Sequence, residues 1–150
     1  MTGQKDRYST QEKLWELDDE QLTTPQHDGM VIELLNRNKM KSIYSILDCK
    51  IDFKYVEILS EVPIKTHNNF IVGYWDIKYQ NHNIGESIFI EVKPTIDSFG
   101  KVLRQLNTYR NYENIHGCFV VLYTTDIKFK DAFESQGITV ISPTDLVGDP

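Results

Sequence analysis

The run GCFVVLYTT, residues 117–125, limits the fold more than any other stretch, because it carries no charge and shows no clean polar alternation. A strand that is apolar at consecutive positions must bury both of its faces, and sheets built from such strands carry helices on both sides. The segments that follow supply one of them. KFKDAFESQ (128–136), ahead of Gly137, reads as a helix, and ITVIS (138–142) reads as a strand. Strand, helix and strand in that order join parallel strands through a crossover.

Upstream, Thr24-Pro25 marks a helix start, with Thr as the cap and Pro at the first helical position. Asp28 falls in the first turn, where the helix dipole favours it. Met30, Val31, Ile32, Leu34 and Leu35 give an apolar face, so a helix is predicted over about 25–37. Residues 38–50 either extend it or form a second short helix. From residue 54 the period changes. KYVEILSEVPI, FIVGYWDIKY (70–79) and SIFIEVK (87–93) read as three strands, separated by a turn at His67-Asn68-Asn69 and a hairpin loop at QNHNIGE (80–86). Pro94 ends the third. Ser98 caps a helix predicted from Phe99 to about Asn111, with Val102, Leu103, Leu106 and Tyr109 in its buried stripe. The expected fold is α/β: a mixed central β-sheet flanked by helices, an antiparallel meander followed by parallel strands. A polar arm over 1–24, with one apolar patch at Leu14, Trp15 and Leu17, is expected to precede a single domain over 25–150.

No apolar stretch is long enough to span a bilayer, and the first residues hold no signal-like apolar core, so a cytoplasmic location is expected (host cytoplasm for a viral chain) and no membrane partner. Cys49 and Cys118 lie far apart, without a CxxC or a Cys/His cluster, which argues against a structural zinc or iron–sulfur site. Cys118 is expected to be buried. His27, His67, His82 and His116 are scattered at turn or cap positions and read as solvated or capping residues. No GxSxG supports a serine nucleophile. The net charge of −6 and pI near 5.2 mean that a nucleic-acid binder of this composition must concentrate its cations locally.

The chemistry gathers around SIFIEVKP, where Glu91 and Lys93 close an apolar strand. Two residues apart, they point to the same face, and charges at the end of an apolar strand are costly unless paired, metal-bound or solvated. Asp76 lies on the preceding strand, and pairing through the 80–86 loop brings it near Glu91. Two close carboxylates repel unless a cation lies between them. Such hard oxygen ligands suit Mg²⁺ or Mn²⁺, with the Val92 carbonyl completing the protein's share. Lys93 is placed to orient a metal-bound water or to stabilise charge on a phosphate. Gln105 and Tyr109 are four apart on the next helix, hence on one face. Lys101, Arg104 and Arg110 give that region a local positive surface for nucleic acid. Of Tyr74 and Trp75, one is expected in the core and the other exposed, where it can stack on a base.

Taken together, Gly73-x-x-Asp76, Glu91-x-Lys93 and Gln105-x-x-x-Tyr109 resemble the PD-(D/E)XK nuclease superfamily, in particular its RecB-like branch with the pattern GxxD, (D/E)xK, QxxxY. The resemblance covers roughly residues 25–142 and implies a restriction-endonuclease-like α-β-β-β-α-β core. It implies a metal-dependent deoxyribonuclease, with Asp76 and Glu91 as metal ligands, Lys93 as the catalytic lysine, and Gln105 and Tyr109 beside the site. Glu33 matches the acidic residue that many members carry on the first helix as a further ligand, a role for which Asp28 competes. The chain departs from the pattern in having Trp75 where the name has proline, in lacking the iron–sulfur cysteines of some members, and in its acidic pI, unlike the basic junction resolvases of this fold. The implied partner is DNA, with a homodimer or a protein partner also open. The second reading is a catalytically silent subunit on the same fold, binding or structural, within a larger nucleic-acid-processing complex.

Overall fold

The computed structural model describes residues 24–113 and 118–146. The arm expected at 1–24 lies outside them apart from Thr24, as do His116 and Gly117. Two helices, α1 (Pro25–Leu34) and α2 (Arg37–Ile46), precede strands β1 (Val56–Lys65), β2 (Ile71–Asn81) and β3 (Glu86–Val92). Then come α3 (Phe99–Tyr112), β4 (Phe119–Tyr123), α4 (Lys130–Glu134) and β5 (Thr139–Ile141). The strands form one five-stranded sheet in the order β1-β2-β3-β4-β5. β1, β2 and β3 pair antiparallel, while β3–β4 and β4–β5 are parallel. The molecule is α/β with a mixed sheet, as the sequence pattern predicts. No helix among the described residues is long and apolar enough to cross a membrane.

Local chemistry sets the element ends. The Thr24 hydroxyl accepts the His27 N–H at 3.1 Å, and the Ser98 hydroxyl accepts the Lys101 N–H at 3.2 Å, so both expected caps are present. The first helix stops three residues short of its expected end. Asn36 is extended, and its side-chain oxygen accepts the N–H groups of Asn38 and Lys39, which starts α2 as a separate helix. β1 begins two residues late because Asp52 caps a 3₁₀ turn at Phe53–Tyr55. Past α4, Gly137 adopts φ +80°, a left-handed conformation that glycine takes without strain. Cys118, expected in the core, is only half-buried at the edge of β4, and Cys49 is likewise half-buried.

Each face of the sheet carries its own core. Met30, Leu34, Met40, Ile43 and Tyr44 of α1 and α2 pack on Ile88, Ile90 and Val92 of β3 and on Val121 and Tyr123 of β4. Val102, Leu106 and Tyr109 of α3 and Phe133 of α4 pack on the alternate residues Phe89, Val120 and Leu122. This is why the β4 sequence shows no alternation. The Tyr79 hydroxyl donates to the Leu34 carbonyl at 2.7 Å, and this buried bond ties α1 to β2 with a net worth of about 1 kcal/mol.

The two long strands break this regularity once. Val56 and Ile58 pack on the α1–α2 side, but Val62 and Ile64 on the α3 side. On β2, Ile77 and Tyr79 face α1–α2, yet Trp75 faces α3. A regular strand keeps residues two apart on one face. The inversion falls at the one position of the constant register where no pair forms, Glu61 opposite Asp76, between Ser60↔Ile77 and Val62↔Trp75. Glu61 has φ +51° there. A residue other than glycine or asparagine in that region is strained, and here it turns the ribbon at the level of Asp76.

Candidate active site

β2 and β3 part company where the candidate site begins. Their ladder runs from Asn81↔Glu86 to Ile77↔Ile90 and stops, although β3 continues to Val92. In place of a strand carbonyl, the Asp76 Oδ2 accepts the Val92 N–H at 2.7 Å. The carboxylate thus holds the two strands together at their point of divergence and is itself fixed beside Glu91. On the other side, β3 is extended by Lys93, whose N–H donates to the Tyr123 carbonyl at 3.0 Å.

Glu91 is 1% exposed. Its Oε2 lies 3.5 Å from the Lys93 Nζ. Burial, and then the Asp76 charge, push the Glu91 carboxyl well above the usual carboxylate range, against the opposing pull of Lys93. Asp76 in turn faces a histidine. The His27 Nε2 is 3.2 Å from Asp76 Oδ1, and its Nδ1 is 3.4 Å from Asp28 Oδ1. The hydrogen bond to Asp76 raises the His27 pKa, with burial opposing it. The result is a row of ionisable groups, Asp28, His27, Asp76, Glu91 and Lys93, exposed at the Asp28 end, with its two like-charged carboxylates Asp76 and Glu91 side by side.

α3 meets the start of the β2 motif segment. The Gln105 Nε2 donates to the Tyr109 hydroxyl at 3.0 Å, so the two motif residues on this helix touch. The Tyr109 ring packs edge-on to Trp75 at 5.2 Å between centroids and lies over Gly73. A Cβ at Gly73 would meet the Tyr109 ring and hydroxyl at 2.7 to 2.8 Å, closer than side chains tolerate. Gly73 and Tyr109 are therefore two halves of one contact, and glycine is needed there for space rather than for its backbone freedom.

Among the described residues, the buried side-chain polar atoms without a hydrogen-bond partner are Trp75 Nε1, Glu91 Oε1 and Gln105 Oε1. All three belong to the motif segments. A buried polar atom left unpaired costs about 1–3 kcal/mol, and native proteins keep such atoms where water, an ion or a ligand engages them. Hard donors available here are the Asp76 and Glu91 carboxylates and the Val92 carbonyl. No group of three or more His, Cys, Asp or Glu side chains among the described residues is gathered to hold an ion by itself. A two-carboxylate set suits a cation that retains several waters, as Mg²⁺ does.

The other expected site residues sit further out. The α1 side chain that reaches Asp76 is His27, while Glu33 lies about 9 Å further along the helix axis and accepts a hydrogen bond from the Tyr123 hydroxyl at 3.3 Å. Lys101 and Arg104 are exposed on α3. Arg110 is anchored within the fold: it donates to the Gln136 carbonyl at 3.1 Å and to Asn107 Oδ1, closing the end of α4 onto α3. His67 and His82 are exposed, and His82 pairs with Glu57. His27 is the residue the sequence reading misplaced, since its cap-proximal position accounted for it. The signal was its spacing, because His27, Met30 and Leu34 form the buried stripe of α1.

Comparison of the chain with family models, with curated proteins and with solved structures found no match.

Proposed function

We propose that this protein is a nuclease that hydrolyses DNA phosphodiester bonds with the help of Mg²⁺ or Mn²⁺, on a restriction-endonuclease-like α-β-β-β-α-β core. The observation that carries this reading is Glu91, buried against the Asp76 carboxylate beside Lys93 with its Oε1 unpartnered, while the other unpartnered buried side-chain atoms of the described residues, Trp75 Nε1 and Gln105 Oε1, lie in the other two motif segments. An ion-pair cluster that served the fold alone would be expected to have its hydrogen bonds satisfied.

Asp76 and Glu91, with the Val92 carbonyl, would hold the cation. Bound there, it polarises a phosphate and lowers the pKa of a coordinated water. Lys93, held 3.5 Å from Glu91, presents its ammonium to charge growing on the phosphate. Gln105 and Tyr109 orient each other and wall the site. His27 gives Asp76 a counter-charge and fixes its carboxylate against rotation.

The test is cleavage of supercoiled, linear and single-stranded DNA with Mg²⁺ or Mn²⁺, against EDTA, by the parent protein, Glu91→Ala and Lys93→Ala. Metal-dependent cutting that falls at least about a hundredfold in both variants is expected. No cutting by the folded, metal-supplied protein would favour the silent-subunit reading. That reading draws on the net charge of −6 and on the pairing of Asp76 with His27.

A further inference from the structure

Beyond Asp76, β2 has lost β3 as a neighbour, and Ile71–Trp75 pairs only with the end of β1. The two strands project as a ribbon past the edge of the sheet. Its tip is tightly made. The Thr66 N–H donates to the Phe70 carbonyl at 2.9 Å, the Phe70 N–H returns to the Thr66 hydroxyl at 3.2 Å, and Asn69 takes the left-handed conformation. This ordered tip leaves Phe70 70% exposed and Ile71 45% exposed. One pleat from the site, Tyr74 is 41% exposed. Trp75 turns to α3, so Tyr74 turns to the opposite face, the one from which His27 of α1 meets Asp76.

The charge of the ribbon differs from that of the chain around it. Between Val62 and Trp75 there is no Asp or Glu, while Lys65 and His67 are present, in a chain with 22 acidic residues and a net charge of −6. A surface that is apolar and aromatic, free of carboxylates and continuous with a phosphate-cleaving site matches a nucleic-acid strand better than an acidic second copy of the chain.

We propose that the β1–β2 ribbon is the substrate platform of the site: Tyr74 stacks on a base next to the scissile phosphate, and Phe70 at the tip wedges against a neighbouring base. This rests on the nuclease reading and adds a substrate class to it, DNA with unpaired bases at the cut. Aromatic side chains stack on unpaired bases of any sequence, and apolar wedges favour steps that are already unstacked.

The experiment is fluorescence anisotropy with a labelled single strand and a labelled blunt duplex, in Mg²⁺, on a Glu91→Gln background so that nothing is cut. Tyr74→Ala is expected to weaken single-strand binding about tenfold and Tyr74→Phe to restore it. Phe70→Ser, at an exposed tip where folding is not at stake, is expected to weaken it several-fold and to lower cleavage in the Glu91 parent. Parent-like binding by Tyr74→Ala and Phe70→Ser, beside a parent that binds and cuts, overturns the platform and leaves the nuclease standing. A dimer that Phe70→Ser dissociates without changing DNA binding also overturns it, as a self-association surface. If the parent neither binds nor cuts DNA, the nuclease reading fails and the platform fails with it.

Discussion

Glu91 is fully buried, opposed by Asp76, and keeps one oxygen without a partner. Such a residue is retained at some cost to stability, which is common where a group serves a site rather than the fold. Glu91→Gln removes the repulsion while keeping the shape and a hydrogen-bond acceptor for Lys93. The variant is therefore expected to melt at or above the wild-type temperature in EDTA. Mg²⁺ should raise the melting temperature of the wild type, because a ligand at a hundred times its Kd adds about 2.7 kcal/mol to the native state. It should leave the variant unmoved. Thermal melts of both proteins with and without Mg²⁺ check this, and an equal metal increment in the two would place the binding elsewhere. The Glu91–Lys93 pair was legible because polar residues at the end of an apolar strand need a reason. His27 was not, since a histidine three residues from a helix cap has a complete local explanation until the tertiary contact with Asp76 is seen.

At the scale of elements, the sequence patterns carried the order of helices and strands but missed the device that shapes the site. Alternation assigns Trp75 and Ile77 to one face, and the structure puts them on two, because the turn of the ribbon comes from an unpaired position at Glu61 and Asp76. No composition signal marks a missing pair. The loop from β3 to α3 is another element that only the structure explains. It follows Lys93 directly and is pinned to the β4–α4 connection: the Thr125 hydroxyl donates to the Pro94 carbonyl at 2.6 Å, and the Ile96 N–H donates to Asp126 Oδ2 at 3.0 Å. That backbone bond, with further help from Lys128 at 3.1 Å, holds the Asp126 carboxyl below its usual range. The folded-state pKa is the lower one, so this contribution to stability is complete above the ordinary aspartate value and is lost as pH falls through the depressed value. Asp126→Asn is expected to lower the melting temperature at pH 7, with the gap closing as the pH falls below about 4. A gap that stays constant down to pH 2 would show that the carboxylate charge contributes nothing there.

For the whole molecule, the sequence-level objection was electrostatic, since a chain of net charge −6 repels a polyanion. Under the nuclease reading the answer is one of position: Lys101 and Arg104 are exposed on α3, Lys65 stands on the acid-free ribbon, and Lys93 lies in the site. Arg110, counted with the nucleic-acid contacts in the sequence, is committed to Gln136 and Asn107 and adds little to such a surface. A protein with about four cations facing phosphate releases few counterions. Its affinity for DNA should then fall with log salt at a slope of about −3 to −4, taking 0.7–0.9 per phosphate neutralised. Titrations of a labelled strand across a range of KCl concentrations measure that slope directly. A value of about −6 or steeper would require a basic surface outside the residues named and would detach DNA binding from this site. A shallow slope, together with weakening by Tyr74→Ala, would mean that the acidic chain holds its substrate mainly by stacking on the ribbon and by the metal, with long-range attraction in a minor part.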